Sequence, residues 1–80
     1  MGLTQLGHLM QTLLIHEATG APARLVFRDA HRAPIDVVVI DVYGQSEDVY
    51  IVVCETVLPR VEGGARLEIS LGELLRVEVI

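Results

Sequence analysis

The sequence predicts a mainly β, α+β fold: an N-terminal amphipathic helix followed by a five-stranded antiparallel, strongly bent sheet or open barrel, with a 3₁₀ turn before the last strand. Three observations lead there. Apolar residues recur at helical spacing up to residue 14, and from Ala23 onward that period gives way to β-rich runs separated by turn chemistry. The composition is 51% hydrophobic with only three aromatics, Phe27, Tyr43 and Tyr50, so Leu, Val and Ile must build the core, and β-branched side chains suit a pleated surface.

The helix is expected over residues 4–19. Thr4 is placed to cap it, and Leu6, Leu9, Met10, Leu13 and Leu14 then follow the i, i+3, i+4, i+7, i+8 spacing of one face. Gly20 and Pro22 end it in the expected order, with Gly suited to a left-handed cap and Pro unable to continue the ladder. Gly7 weakens it by about 1 kcal/mol relative to Ala.

The first strand is expected over residues 23–28. Asp29, Ala30, His31 and Arg32 turn the chain into a long second strand over residues 34–43, whose middle (Val37, Val38, Val39, Ile40) is apolar on both parities. Such a strand is central between two layers, or so bent that each face meets a core along part of its length. Gly44, Gln45, Ser46, Glu47 and Asp48 form the next turn, and Val49–Thr56 is the third strand. Pro59 limits the segment after that strand to an edge, bulge or loop, and Glu62, Gly63, Gly64 and Ala65 signal another hairpin.

Residues 66–71 alternate, with Leu67, Ile69 and Leu71 inward and Arg66, Glu68 and Ser70 outward. The segment 70–74 has a cap residue and a breaker but is too short for an α-helix, which suits one 3₁₀ turn. Residues 75–80 alternate again, with Leu75, Val77 and Val79 inward. No repeat or low-complexity stretch interrupts the chain, so residues 1–80 are read as a single domain, the β part spanning 23–80.

Composition narrows the function classes. Eighty residues bury only roughly 60–65% of the surface their unfolded chain exposes, so the apolar fraction exceeds what so small an interior hides. Some apolar surface is expected to meet another subunit or a partner. A formal charge of −5, with no Lys and six scattered Arg, argues against gripping nucleic acid through phosphates. Single Cys54 cannot form an internal disulfide, the first residues lack a signal-peptide pattern, and no apolar run approaches the ~20 residues of a membrane helix. A cytoplasmic location is the expectation.

The order helix, five short strands with a long bent second strand, and a 3₁₀ turn before the fifth resembles small open barrels of the SH3 or Sm-like kind, a group that includes the RNA chaperone Hfq and the Rho-inhibiting protein Rof. Residues 24–53 are similar in pattern to their first three strands. Asp41, Tyr43 and Gln45 echo the acidic, aromatic and amide residues of the Sm loop, with Gln where Asn is usual. Leu75, Arg76 and Val77 are the nearest match to the Ile-Arg-Gly motif that completes the Sm nucleotide pocket, with Val replacing Gly. An Sm-like identity implies an oligomeric ring that binds RNA, whereas a Rof-like one implies docking on another protein.

No constellation points to catalysis, a metal or a cofactor. His8 and His16 are about 80° apart on the helix and two turns along, so they do not share a metal ion, and both are expected in solvent, as is His31 in its turn. Cys54 reads as a small buried hydrophobe with no base in reach. Asp36 and Asp41 have opposite parity and are expected on opposite faces, which excludes an acid and base pair. Gly63 and Gly64 precede Ala and Arg rather than the Lys and Ser/Thr of a phosphate loop.

The acidic residues spread through the β region either form a solvated rim that guards edge strands or meet a basic partner. The expected function is therefore a non-enzymatic regulatory or adaptor module that binds a protein partner through an apolar or acidic face. An Sm-like RNA-binding oligomer and a structural subunit of a larger assembly are the alternatives. Tyr43, Gln45, Glu47, Asp48 and Arg76 are the candidate partner or nucleic-acid contacts, and Ile15, Val26, Val38 and Ile80 the candidate oligomer contacts.

Overall fold

In the computed structural model, the backbone is described for residues 2–57 and 65–80, and side chains within these from Gly7 onward. Helix α1 spans Gly2–Thr19, so Thr4 lies inside its first turns rather than capping it. Leu9 and Leu13 are buried and Met10 packs beside them. Among the described residues, His16 is the third buried position on this face, only 5% exposed, which corrects the expectation of a solvated histidine. Positions 9, 13 and 16 are spaced i, i+4, i+7 along one line, whereas Leu14 lies about 100° beyond Leu13 and is 44% exposed. His8 and His31 are exposed as expected.

His16 also shapes the helix end. The Gly20 N–H donates to the His16 carbonyl at 2.9 Å, with Gly20 at φ 72°. This left-handed cap is the conformation that glycine adopts without a Cβ penalty. The chain then reverses so that the Ala21 carbonyl accepts a 2.9 Å hydrogen bond from His16 Nδ1. Because a carbonyl only accepts, Nδ1 carries the proton.

Five antiparallel strands come next: β1 (Ala23–Phe27), β2 (Ile35–Ser46), β3 (Val49–Thr56), β4 (Arg66–Ser70) and β5 (Leu74–Val79). Their order in the single sheet is β4-β3-β2-β1-β5, with the 3₁₀ turn η1 (Leu71–Glu73) leading into β5. The sheet is not closed, since β4 and β5 are its two edges. The sequence signals at Pro59 and at Glu62, Gly63 and Gly64 lie outside the described residues. Among the described residues no helix is long and apolar enough to cross a membrane.

β2 is central and longer than its sequence suggested. It runs through Gly44 and Gln45 to Ser46, leaving Glu47 and Asp48 to make the turn. Two register shifts against β3, at Ile40 and at Gln45, explain its double-parity apolar run. Each inserts one residue, and a bulge of this kind bends the strand and re-phases every side chain beyond it. Val37 and Val39 face the core before the first bulge and Val42 after it, with Val42 opposite buried Val52. Asp36 and Asp41 therefore share the outward face, contrary to the uninterrupted parity count.

A third register shift affects β5. Val26 pairs with Arg76 but Phe27 pairs with Leu74, so Leu75 is the extra residue. Leu74 is fully buried and Val77 packs on the core, while Leu75 and Val79 are exposed. The simple alternation had placed Leu75, Val77 and Val79 all inward.

The inward face carries Leu25, Phe27, Val37, Val39, Val52, Cys54, Ile69 and Leu74, and α1 lies against it through Leu9 and Leu13. Arg32 closes the end near η1. Its guanidinium stacks 3.8 Å from the Phe27 ring centroid, and its Nη1 donates to Glu73 Oε1 at 2.6 Å. Glu73 in turn accepts the Ser70 N–H at 3.3 Å, and its backbone carbonyl accepts the Arg28 N–H at 2.9 Å. The β1–β2 connection is thereby tied to the turn before β5.

Candidate functional site

The face of the sheet turned away from α1 is built by the pleat and the two bulges of β2. Cross-strand registers set three outward rows: Val38, Glu55 and Arg66; Asp41, Val53 and Glu68; Tyr43, Ile51 and Ser70. Val38, Val53, Ile51 and Tyr43 form an apolar strip along the β2–β3 ladder. None of the four belongs to the main core cluster. Ile51 is nonetheless only 9% exposed, and Tyr43 stands beside it at 38%.

Carboxylates border this strip. Asp41 and Glu68 flank Val53 in its row, and Glu47 and Asp48 occupy the hairpin tip beyond Tyr43. Asp41 spends one oxygen on the Val42 N–H at 2.9 Å and keeps its charge at the surface.

The arginines are distributed differently. Arg24 donates through Nε and Nη2 to both oxygens of Asp36, at 2.7 and 3.2 Å. That hydrogen-bonded pair holds the Asp36 carboxyl below its ordinary range and raises the Arg24 guanidinium. Arg32 pairs with Glu73 at 2.6 Å, Arg66 with Glu55 at 3.4 Å and Arg76 with Glu78 at 2.6 Å. Among the described residues four arginines are thus matched to carboxylates, which leaves little free positive charge for a phosphate backbone.

The residues singled out from sequence come together only in part. Tyr43, Gln45, Glu47 and Asp48 gather at the far end of the β2–β3 hairpin, with Gln45 as the inserted residue of the second bulge. Arg76 does not join them. It lies on edge strand β5, separated from β2 by β1, so the nucleotide-pocket pairing suggested by Leu75, Arg76 and Val77 is not assembled within the chain.

The four candidate oligomer contacts also fail to form one seam. Ile15 is exposed on α1, on the inward side of the sheet, whereas Val26 and Val38 point outward. The Arg24 and Asp36 pair stands between those two valines in the β1–β2 ladder. Ile80, exposed, comes directly after the last residue of β5.

A cleft of about 360 Å³ is lined by Arg24, Pro34, Ile35, Asp36 and Thr56. Its polar chemistry is the closed Arg24 and Asp36 pair. No group of three or more metal-ligating side chains occurs among the described residues.

No family model matches the chain, and no curated protein or solved structure does either. The outward face is accordingly interpreted through its own chemistry. Ile51 and Val53 were not legible as members of that face because residues 50–54 contain no charged side chain to mark which parity meets solvent.

Cys54 sits on the opposite, inward side with no exposed surface. Burial pushes its thiol up to about 11 from 9.0, so it stays protonated and unreactive near neutrality. A raised folded value favours the folded state below the unfolded thiol's value and loses that advantage as pH rises through the folded one. The urea midpoint of the native chain is therefore expected to fall relative to Cys54→Ala between about pH 9 and pH 11. Equal pH dependence in the two chains would contradict this, as would labelling of Cys54 by a thiol reagent without prior unfolding.

Proposed function

We propose that this chain is a non-enzymatic interaction module, regulatory or adaptor in type, that works in the cytoplasm and docks a protein partner on the outward face of β2–β3–β4. The observation that carries the reading is the strip of Val38, Val53, Ile51 and Tyr43 bordered by Asp41, Glu68, Glu47 and Asp48. Apolar area supplies affinity, and an acidic border selects a partner that presents Lys or Arg around an apolar patch. The strand order, the doubly bulged central strand and the 3₁₀ turn ahead of β5 support placing the fold with SH3- or Sm-like small barrels, in an opened form. The pairing of Arg24, Arg32, Arg66 and Arg76 with carboxylates weighs against the RNA-binding alternative.

The test is an NMR titration with a synthetic peptide of alternating Leu and Lys, alongside a single-stranded oligoribonucleotide at low salt. The peptide is expected to shift the amides of Tyr43, Ile51 and Val53 and to weaken as salt rises. Asp41→Lys with Glu68→Lys is expected to reduce its affinity about tenfold or more. Undisturbed amides on this face, or binding of the oligonucleotide in place of the peptide, would overturn the proposal.

A further inference from the structure

Strand β2 is paired on both sides along only part of its length. β1 meets it at Ile35, Asp36 and Val37. Ahead of Ala23 the chain turns away through Pro22, which has no N–H to offer a ladder, and through the left-handed Gly20 that ends α1. From Val38 to Ser46, β2 therefore has β3 on one side and no strand of the described chain on the other. Asp41, Tyr43, Gly44, Gln45 and Ser46 in this half are exposed.

Two backbone bonds fix which groups turn to that open side. The Thr56 N–H donates to the Ala65 carbonyl, toward β4, at 3.0 Å, and the Val57 N–H donates to the Asp36 carbonyl, toward β2, at 3.1 Å. Successive residues of an antiparallel strand turn their N–H and C=O groups to alternate sides. Ile51 and Val53 accordingly turn theirs toward β2, where they meet Tyr43 and Asp41. Val42 and Gly44 then turn theirs to the open side. There the Val42 N–H donates to Asp41 Oδ1 at 2.9 Å, so a carboxylate holds the place that a neighbouring strand's carbonyl would take.

We propose that an extended segment of a protein partner, bearing Lys or Arg, adds to this half of β2 as a further strand. Its carbonyls take the Val42 and Gly44 N–H groups, and one of its cations pairs with the Asp41 carboxylate that is released. Strand addition rests on the docking role proposed above and specifies how that partner is held. Charge selects the occupant. β2 and β3 contain no Lys or Arg, while Asp41 lies at the edge and Glu47 and Asp48 at the hairpin tip. A second copy of β2 would bring these carboxylates against their own kind with no cation on either strand, which opposes self-addition. A basic segment is attracted by all three. In the free chain the Asp41 contact keeps the Val42 N–H satisfied, one of the ways in which an exposed edge is blunted.

The test uses the peptide of alternating Leu and Lys together with two N-methylated forms, one methylated at every leucine and one at every lysine, with circular dichroism to verify that each protein variant folds. Alternate N–H groups of an extended strand point to opposite edges, so one methylated form is expected to bind about tenfold or more weakly and the other within about twofold of the parent. Hydrogen exchange at the Gly44 amide is expected to slow about tenfold or more in the complex, since that group gains an acceptor. Asp41→Lys alone is expected to weaken the peptide about tenfold. Glu68→Lys alone, on β4 and roughly 14 Å from the added strand at three strand spacings, is expected to change affinity by no more than about twofold. Asp41→Asn, which keeps an acceptor for the Val42 N–H, serves if Asp41→Lys does not fold and is expected to weaken binding in the same direction. Shifts at Tyr43, Ile51 and Val53 with an unprotected Gly44 amide, equal responses to the two methylated peptides, or a larger loss from Glu68→Lys than from the Asp41 variant would each overturn strand addition while leaving the docking face in place. No binding of the parent peptide would overturn both.

Discussion

Leu13→Ala is expected to cost roughly 2–5 kcal/mol, the range for truncating a fully buried leucine when the surroundings cannot collapse into the space. Leu13 has no exposed surface and sits with Leu9 where α1 meets the core of the sheet. Its neighbours in that cluster, Val37 and Val39 among them, are held by strand pairing and cannot move far to fill a void. For a chain of 80 residues, total stability is expected at about 4–12 kcal/mol, so the loss is a large share of it. Leu14→Ala, one position along and 44% exposed, is expected to change stability by about 0.5 kcal/mol or less. Urea denaturation of both variants beside the native chain measures the difference. Equal midpoints for the two would mean that α1 does not dock through the 9, 13, 16 face.

The contrast between these neighbouring leucines shows what the sequence could and could not specify. Helical spacing located α1, but a stripe containing both Leu13 and Leu14 leaves the face uncertain by about 100°. The decisive residue was His16, whose polar identity made it read as solvent-facing although it completes the buried line. In the sheet, Val49–Thr56 appears as β3 with the ends expected from sequence, because β-branched residues and Tyr50 fill positions 49–53 directly after the turn residues Glu47 and Asp48. The phase of β2 and β5 was not legible, since a bulge is a choice made by two strands together. Ile40, Gln45 and Leu75 carry no local mark of insertion, yet each inverts the parity of the strand beyond it.

The candidate docking face inherits this. Tyr43, Glu47 and Asp48 were visible from sequence as an aromatic and two acids near a turn. Their association with Asp41, Val53 and Glu68 depends on the bulge at Ile40, which moves Asp41 to the side of Val38 and Asp36. Without that inserted residue Asp41 would face the core and Val42 the solvent, and the middle row of the apolar strip would keep an acidic neighbour only on its β4 side, at Glu68. A bulge in the central strand therefore decides both the packing of Val42 and the composition of the outward surface.

His16 supplies the second large effect. Two roles are combined in it: the ring fills space beside Leu13, and Nδ1 donates to the Ala21 carbonyl at 2.9 Å. They separate by substitution because Ala21 is exposed, so its carbonyl can turn to water when the donor is lost, and the net value of that hydrogen bond is about 0.5–1.5 kcal/mol. His16→Leu keeps most of the volume and is expected to cost no more than that. His16→Ala gives up both roles and is expected to cost about 2–4 kcal/mol, in line with truncations of large buried side chains. Thermal and urea unfolding of the two variants distinguish the roles: a leucine variant as unstable as the alanine one would assign the effect to the hydrogen bond at the helix end, and with it the turn from α1 into β1. Near-native stability of the leucine variant would make packing the dominant role, and would explain why a histidine here goes unannounced in a sequence whose other two histidines, His8 and His31, lie in solvent.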